Sequence, residues 1–114
     1  MYKDLKIWHK AMDLVIEVYN VAEQMPKSEE YNLKSQIKRA IVSVPLNIAE
    51  GKARGSSKDF AHFLNIVSAS LTEVEVVIII AQKLKYLKVC ENVMINIKEL
   101  EKMINSLRSK LLET

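Results

Sequence analysis

The chain is short of the residues that bend, break or cross-link a backbone: one cysteine, two prolines and two glycines in 114 residues. A lone cysteine, Cys90, excludes an intrachain disulfide and suits a reducing compartment. Aromatic residues are few, at 6%. The longest purely apolar run spans residues 76–81, far below the roughly 18 residues that cross a bilayer. The opening residues, Met-Tyr-Lys-Asp-Leu-Lys, have no apolar signal core. There is no phosphate loop, dinucleotide fingerprint, nucleophile elbow or zinc spacing. These absences leave the expectation of a cytoplasmic protein without a membrane partner, a cofactor or an enzymatic activity. The length suits one domain over residues 1–114.

What the chain does have is Leu, Ile, Val, Ala, Lys and Glu, the composition of an all-helical protein. The apolar positions carry a helical period. A first helix over residues 4–24 has two neighbouring stripes. One is Leu5, Trp8, Met12, Val15, Tyr19 and Ala22; the other is Ile7, Ala11, Leu14, Val18, Val21 and Met25. That double stripe is wider than one neighbouring helix covers, which points to burial against two neighbours or a partner subunit. Pro26 ends the helix. A second helix begins near Ser28 or Asn32, either placed to cap it, and buries Leu33, Ile37, Ala40, Ile41, Val44 and Ile48. Its spacing continues past Pro45, which predicts a kink; a break into two short helices is the alternative.

Gly51 suits the left-handed position that closes the second helix. Ser56 caps a third, with Asp59 as the return half of a capping box. The third helix is expected to reach Leu87. Around residues 76–80 it is apolar on every side, which calls for burial on every side. So small a domain lacks the intrachain neighbours to do that, and an oligomer follows. After a turn at residues 85–88, a fourth helix over 91–111 carries a heptad seam of Val93, Ile97, Leu100, Ile104, Leu107 and Leu111. Four long helices with short connections predict an all-α, up-down-up-down four-helix bundle.

Charge is distributed unevenly. Over residues 27–58, Lys27, Lys34, Lys38, Arg39, Lys52, Arg54 and Lys58 face Glu29, Glu30 and Glu50, a net +4, while the remainder is −1 within a total of +3. Lys38, Arg39, Lys52, Arg54 and Lys58 are the candidate phosphate contacts; a solvated basic face is the alternative. No aromatic residues alternate with them to stack on bases, which argues against sequence-specific single-strand recognition.

Other chemistry is thin. Glu50 sits against the helix dipole and calls for an ion pair with Arg39 or Arg54. Glu73 and Glu75 do not share a helix face, so they form no acid–base pair, and Glu73 is expected to meet a base on the first or second helix. Asp59-x-x-His62 is one imperfect copy of a motif that di-iron bundles need twice, so no metal is expected. Cys90 at a helix start is expected to be passive, and Trp8 is an anchor in the core or an interface.

Several of these residues also carry a resemblance. Leu5-x-x-Trp8-x-x-Ala11, Pro26, Leu33-x-x-Gln36-Ile37-x-Arg39-Ala40, Ser43-x-Pro45-x-Asn47-Ile48-Ala49-Glu50-Gly51, Phe60-x-x-Phe63-Leu64 and Ser70-Leu71-x-Glu73 resemble the bacterial four helix bundle protein family. Its members are often called 23S rRNA intervening-sequence proteins. The likeness covers residues 2–88, and the fourth helix fits in pattern only. It implies structural roles for Trp8, Asn47, Glu50, Gly51 and Glu73, and a bundle that assembles as a ring, commonly a homopentamer. Some members are encoded within insertions in large-subunit rRNA genes, and a related group serves as accessory proteins of diversity-generating reverse transcriptases. The resemblance implies no enzymatic activity. Ala69 stands where relatives often have glycine. The expectation is a non-enzymatic homo-oligomer associated with nucleic acid, RNA before DNA; the rival is a protein-binding scaffold.

Overall fold

The computed structural model describes residues 1–113, and among them every regular element is helical. A 3-10 turn at Tyr2–Asp4 precedes α1 (Lys6–Glu23). A second, at Lys27–Glu29, precedes α2 (Leu33–Ala53), followed by α3 (Ser57–Lys83) and α4 (Glu91–Leu112). Each helix packs on its neighbours in sequence, α4 closes back onto α1, and the backbones of the diagonal pairs stay apart. Cross-helix pairs fix the directions: Glu23 with Lys38, Ser43 with Ser70, Ser68 with Arg108 and Lys10 with Glu99. Second pairs, Gln36 with Glu73, Glu75 with Lys98 and Glu17 with Asn96, show residue numbers rising on one helix as they fall on the other. The bundle is therefore up-down-up-down, a rod of 46 × 23 × 19 Å.

One core runs its length. Leu14, Ile37, Ile41, Ile48, Leu64, Leu71, Ile78, Ile97, Leu100 and Ile104 are fully buried. The inner stripe of α1 lies in this core as its spacing requires. The outer stripe lies there only in part: Ala22 is buried, Trp8 and Val15 are half-buried, and Met12 and Tyr19 are exposed. The same holds for α3, where Val76, Ile79 and Ile80 keep 46%, 41% and 41% of their surface in contact with solvent. By length and composition α3 would also pass as a bilayer-crossing helix, with mean hydropathy 1.9 over its most apolar window. In this fold it is a helix of the bundle, packed between α2 and α4.

Pro45 leaves α2 continuous, as its spacing predicts, and is buried facing α1. Three helix ends differ from the sequence reading. At the start of α2, neither Ser28 nor Asn32 caps through its side chain. The Glu29 carboxylate does so, accepting from Leu33 N at 3.4 Å and from Asn32 Nδ2 at 2.9 Å. Ser56 caps α3 by accepting from Asp59 N at 3.1 Å, but the Asp59 carboxylate makes no return bond, so only half the box forms.

The third helix stops at Lys83, short of Leu87, because Lys85 turns left-handed at φ 64°. Tyr86 N then donates to Ala81 O at 2.8 Å and Lys85 N to Gln82 O at 3.0 Å, the paired bonds of a Schellman closure. Lysine in a position that normally selects glycine gave the sequence no stop signal.

Candidate nucleic-acid interface

The corner between α2 and α3 is built on Gly51, though not as the periodicity suggests. Gly51 lies inside α2 and is buried. A β-carbon there would stand 2.6 Å from Phe63 Cβ and 3.0 Å from Phe60 Cδ1. Absence of a side chain is what lets the two helices close on each other. The left-handed residue is Gly55, at φ 84°, with open space around it. So Gly51 sets the approach and Gly55 makes the turn.

Two of the corner's bases are held by the rings that Gly51 admits. The Arg54 guanidinium lies 4.9 Å from the centre of the Phe63 ring, and the Lys52 ammonium lies 6.0 Å from that of Phe60. Lys58 is exposed in the first turn of α3. None of the three is in an ion pair among the described residues. Phe60 is buried and Phe63 half-buried beneath the cations, so neither ring offers a stacking face for a base. This leaves a cationic surface without a stacking platform.

Lys38 and Arg39 are elsewhere. Fourteen residues separate Lys38 from Lys52 along one helix, about 21 Å at 1.5 Å per residue. Lys38 Nζ donates to Glu23 Oε1 at 2.7 Å and lies 5.1 Å from the Tyr19 ring centre. That hydrogen bond raises the ammonium's pKa and, from the other side, lowers the Glu23 carboxyl's, helped by the charges of Lys38 and Lys34. Lys38 is thus neutralised within the fold. Arg39 is exposed and donates to Ser35 Oγ at 2.9 Å, outside the corner cluster. Lys34, the one buried charged residue among those described, lies 3.2 Å from Glu30. The +4 segment therefore divides: Lys34 and Lys38 are paired with acids toward the far end of the rod, and Lys52, Arg54 and Lys58 are in no ion pair at the corner among the described residues.

The antiparallel topology adds bases that sequence proximity hides. The start of α1 and the end of α4 lie at the same end of the bundle as the corner. They bring Lys3, Lys6, Lys102, Arg108 and Lys110 to it, against Asp4, Glu101 and Glu113, while the corner itself holds Glu50 and Asp59. Arg108 is anchored, donating to Asn105 Oδ1 at 2.6 Å and Ser68 Oγ at 3.2 Å. Only topology, not a local motif, reveals this convergence.

The residues assigned structural roles fall as follows. Trp8 meets Tyr2 and His9 edge-on, each at 5.2 Å between ring centres, and lines an apolar groove between α1 and α2. Asn47 Nδ2 donates to Ser43 O at 2.7 Å, a bond back to the preceding turn. Ser43 Oγ lies 2.7 Å from both Ala40 O and Ser70 Oγ. A hydroxyl has one proton, so the Ser70 hydroxyl donates one of these bonds and ties α3 to α2.

Glu50 corrects its expectation: it is exposed and in no ion pair among the described residues. Glu73 meets no base either; it accepts from the Gln36 amide at 3.3 Å. Ala69 faces outward, so its methyl group does not sit between helices of one bundle. At Cys90, burial pushes the thiol's pKa up, and Sγ donates to Lys88 O at 3.3 Å. Among the described residues no three His, Cys, Asp or Glu side chains converge, and Asp59 and His62 stand without further ligands.

Comparison with curated proteins finds no match. A solved structure from Bacteroides thetaiotaomicron, described as a protein of unknown function from the S23 ribosomal protein family, has a similar fold. It is 22% identical, covers 90% of this chain and 97% of its own, and superposes with a TM-score of 0.81. The family described as 23S rRNA-intervening sequence protein matches residues 3–106. Nearly the whole bundle, most of the fourth helix included, falls within that match, and the chain belongs to this family.

Proposed function

We propose that this protein is a non-enzymatic, self-associating bundle that binds the phosphate backbone of structured RNA through the basic end of the rod. The observation that carries the reading is the unpaired set Lys52, Arg54 and Lys58, two of them propped on phenylalanine rings at a corner closed by Gly51. The family's description supports RNA over DNA as the ligand. Ion pairing removes Lys38 from the contact set, and Arg39 is a separate, weaker contact. Binding of this kind is salt-sensitive and reads shape and charge rather than sequence.

Self-association uses the faces the bundle leaves uncovered. Trp8, Met12, Val15, Val42, Leu46 and Ala49 line a groove of about 340 Å³ with no charged residue on its walls. An uncharged apolar groove of this sort buries well against another copy. A ring, a pentamer by family resemblance, would repeat the basic end once per subunit. A cytoplasmic location agrees with the reading.

The test is fluorescence anisotropy with a labelled RNA hairpin. Changing Lys52, Arg54 and Lys58 together to Gln should weaken binding by at least about tenfold, or 1.4 kcal/mol. Lys38→Gln should leave it within about twofold. Equal losses in both variants would overturn the assignment to the corner.

The rival is a protein scaffold whose bases serve only solubility. The exposed Val76, Ile79 and Ile80 on α3 favour it. Absence of RNA binding by an intact oligomer would select it.

A further inference from the structure

A second groove, of about 410 Å³, runs between the start of α1 and the last turns of α4. Leu5, Met103 and Leu107 form its apolar floor, each half-buried against the core. Lys6, Lys102 and Lys110 stand around it. Lys102 and Lys110 are eight residues apart on one face of α4, about 12 Å along the axis. All three lysines are exposed, and none is in an ion pair among the described residues. One turn further along the same seam, Lys10 is satisfied by Glu99 at 2.8 Å. Glu101 precedes Lys102 directly but interacts with Glu75 and Lys98, and Glu99, one turn back, is engaged by Lys10.

Lys6 is placed against its own helix. It lies in the first turn of α1, which carries no acid, at the positive end of the helix dipole. A carboxylate arriving there would meet both the ammonium and the helix end. The floor asks for something else. No aromatic side chain lines it for base stacking, and a phosphate backbone gains nothing from leucine and methionine. Apolar surface flanked by unmatched cations is complemented by an apolar stripe flanked by carboxylates.

We infer that this groove docks an acidic amphipathic helix of a partner protein, with leucine-type residues at i, i+3 or i+4 and i+7 seated on Leu5, Met103 and Leu107. The mode is helix-in-groove, with Met103 supplying an adaptable surface. The contrast with the groove on the other flank of α1 supports this occupant. That one has uncharged walls and suits another copy of the same chain; this one has three cations and suits a partner that supplies the acids. The inference does not depend on RNA binding.

The probe is a labelled synthetic helix of about five turns, leucine on one stripe and glutamate beside it, titrated at physiological salt. A peptide of the same composition with the stripe scrambled is the control. The expected result is saturable binding of the striped peptide and at least about tenfold weaker binding of the scrambled one. Replacing Lys6, Lys102 and Lys110 with Gln should weaken the striped peptide by a similar factor, and so should Leu107→Gln. Circular dichroism and sedimentation of each variant check that fold and assembly are kept. Equal affinity for both peptides would reduce the groove to charge attraction and overturn the inference. So would no saturable binding, an unaffected triple variant, or dissociation of the oligomer in the triple variant.

Discussion

Gly51 is the residue on which the corner depends, and its effect runs against helix propensity. In an ordinary helix interior, Gly→Ala gains about 1 kcal/mol. Here the new methyl group meets Phe63 Cβ, which is too close to the α3 backbone to swing away. Overpacking of that kind costs about 1–3 kcal/mol. Gly51→Ala should therefore give a net loss of about 1 kcal/mol in urea denaturation, and a gain would contradict the close approach. Lys85 is the converse. Left-handed backbone costs a side-chain-bearing residue about 1–2 kcal/mol, while glycine loses about 0.5–1 kcal/mol in chain entropy. Lys85→Gly should stabilise by roughly 0.5 kcal/mol in the same assay. Both glycines stand out in the sequence, but their roles do not. A periodicity shows that a corner exists, whereas only the facing helix shows that Gly51 is a contact and Gly55 the turn.

At the scale of elements, the four helices were legible because their apolar positions repeat over five turns or more, long enough for the period to outweigh any single residue. Their ends were less so. Glu29 caps α2 in place of Ser28 or Asn32, a choice made by the geometry of the preceding 3-10 turn. The α1–α2 seam is also tied by charge, through Glu23, Lys38 and Lys34. Lys38 holds the Glu23 carboxyl below its ordinary 4.5. A depressed folded value means stability that is present above pH 4.5 and lost as pH falls through the lowered value. Glu23→Gln should flatten that acid limb of a stability–pH profile, with little change in its shape near neutrality. The raised Lys38 acts at the other extreme, contributing below its ordinary 10.5 and losing that contribution as pH climbs past its folded value. An unchanged acid limb in Glu23→Gln would place the stabilising charge elsewhere.

The whole molecule is a rod with unlike ends and unlike flanks. Toward its far end Lys34 and Lys38 are paired with glutamates, and its corner end gathers bases from all four helices. The net charge of segment 27–58 suggested one patch, yet an antiparallel bundle sends the two halves of α2 to opposite ends. The same topology recruits Lys3, Lys6, Lys102 and Lys110, which no local pattern connects to residue 54. The outer stripe of α1, legible as surplus apolar surface, faces solvent beside Leu46, itself 56% exposed. In the proposed assembly Leu46→Glu should dissociate the oligomer in sedimentation velocity while leaving helicity unchanged. A persisting oligomer would move the subunit contact to the outer face of α3.

The most direct test of phosphate binding at the corner is the salt dependence of RNA affinity, measured for the wild type and for the Lys52, Arg54 and Lys58 to Gln variant at matched oligomeric state. Each phosphate neutralised contributes about 0.7–0.9 to the slope of log K against log salt. The predicted result is a steep wild-type slope that falls by about 2–3 in the variant for each engaged subunit. Equal slopes would contradict it, because the bases at the corner would then release no counterions.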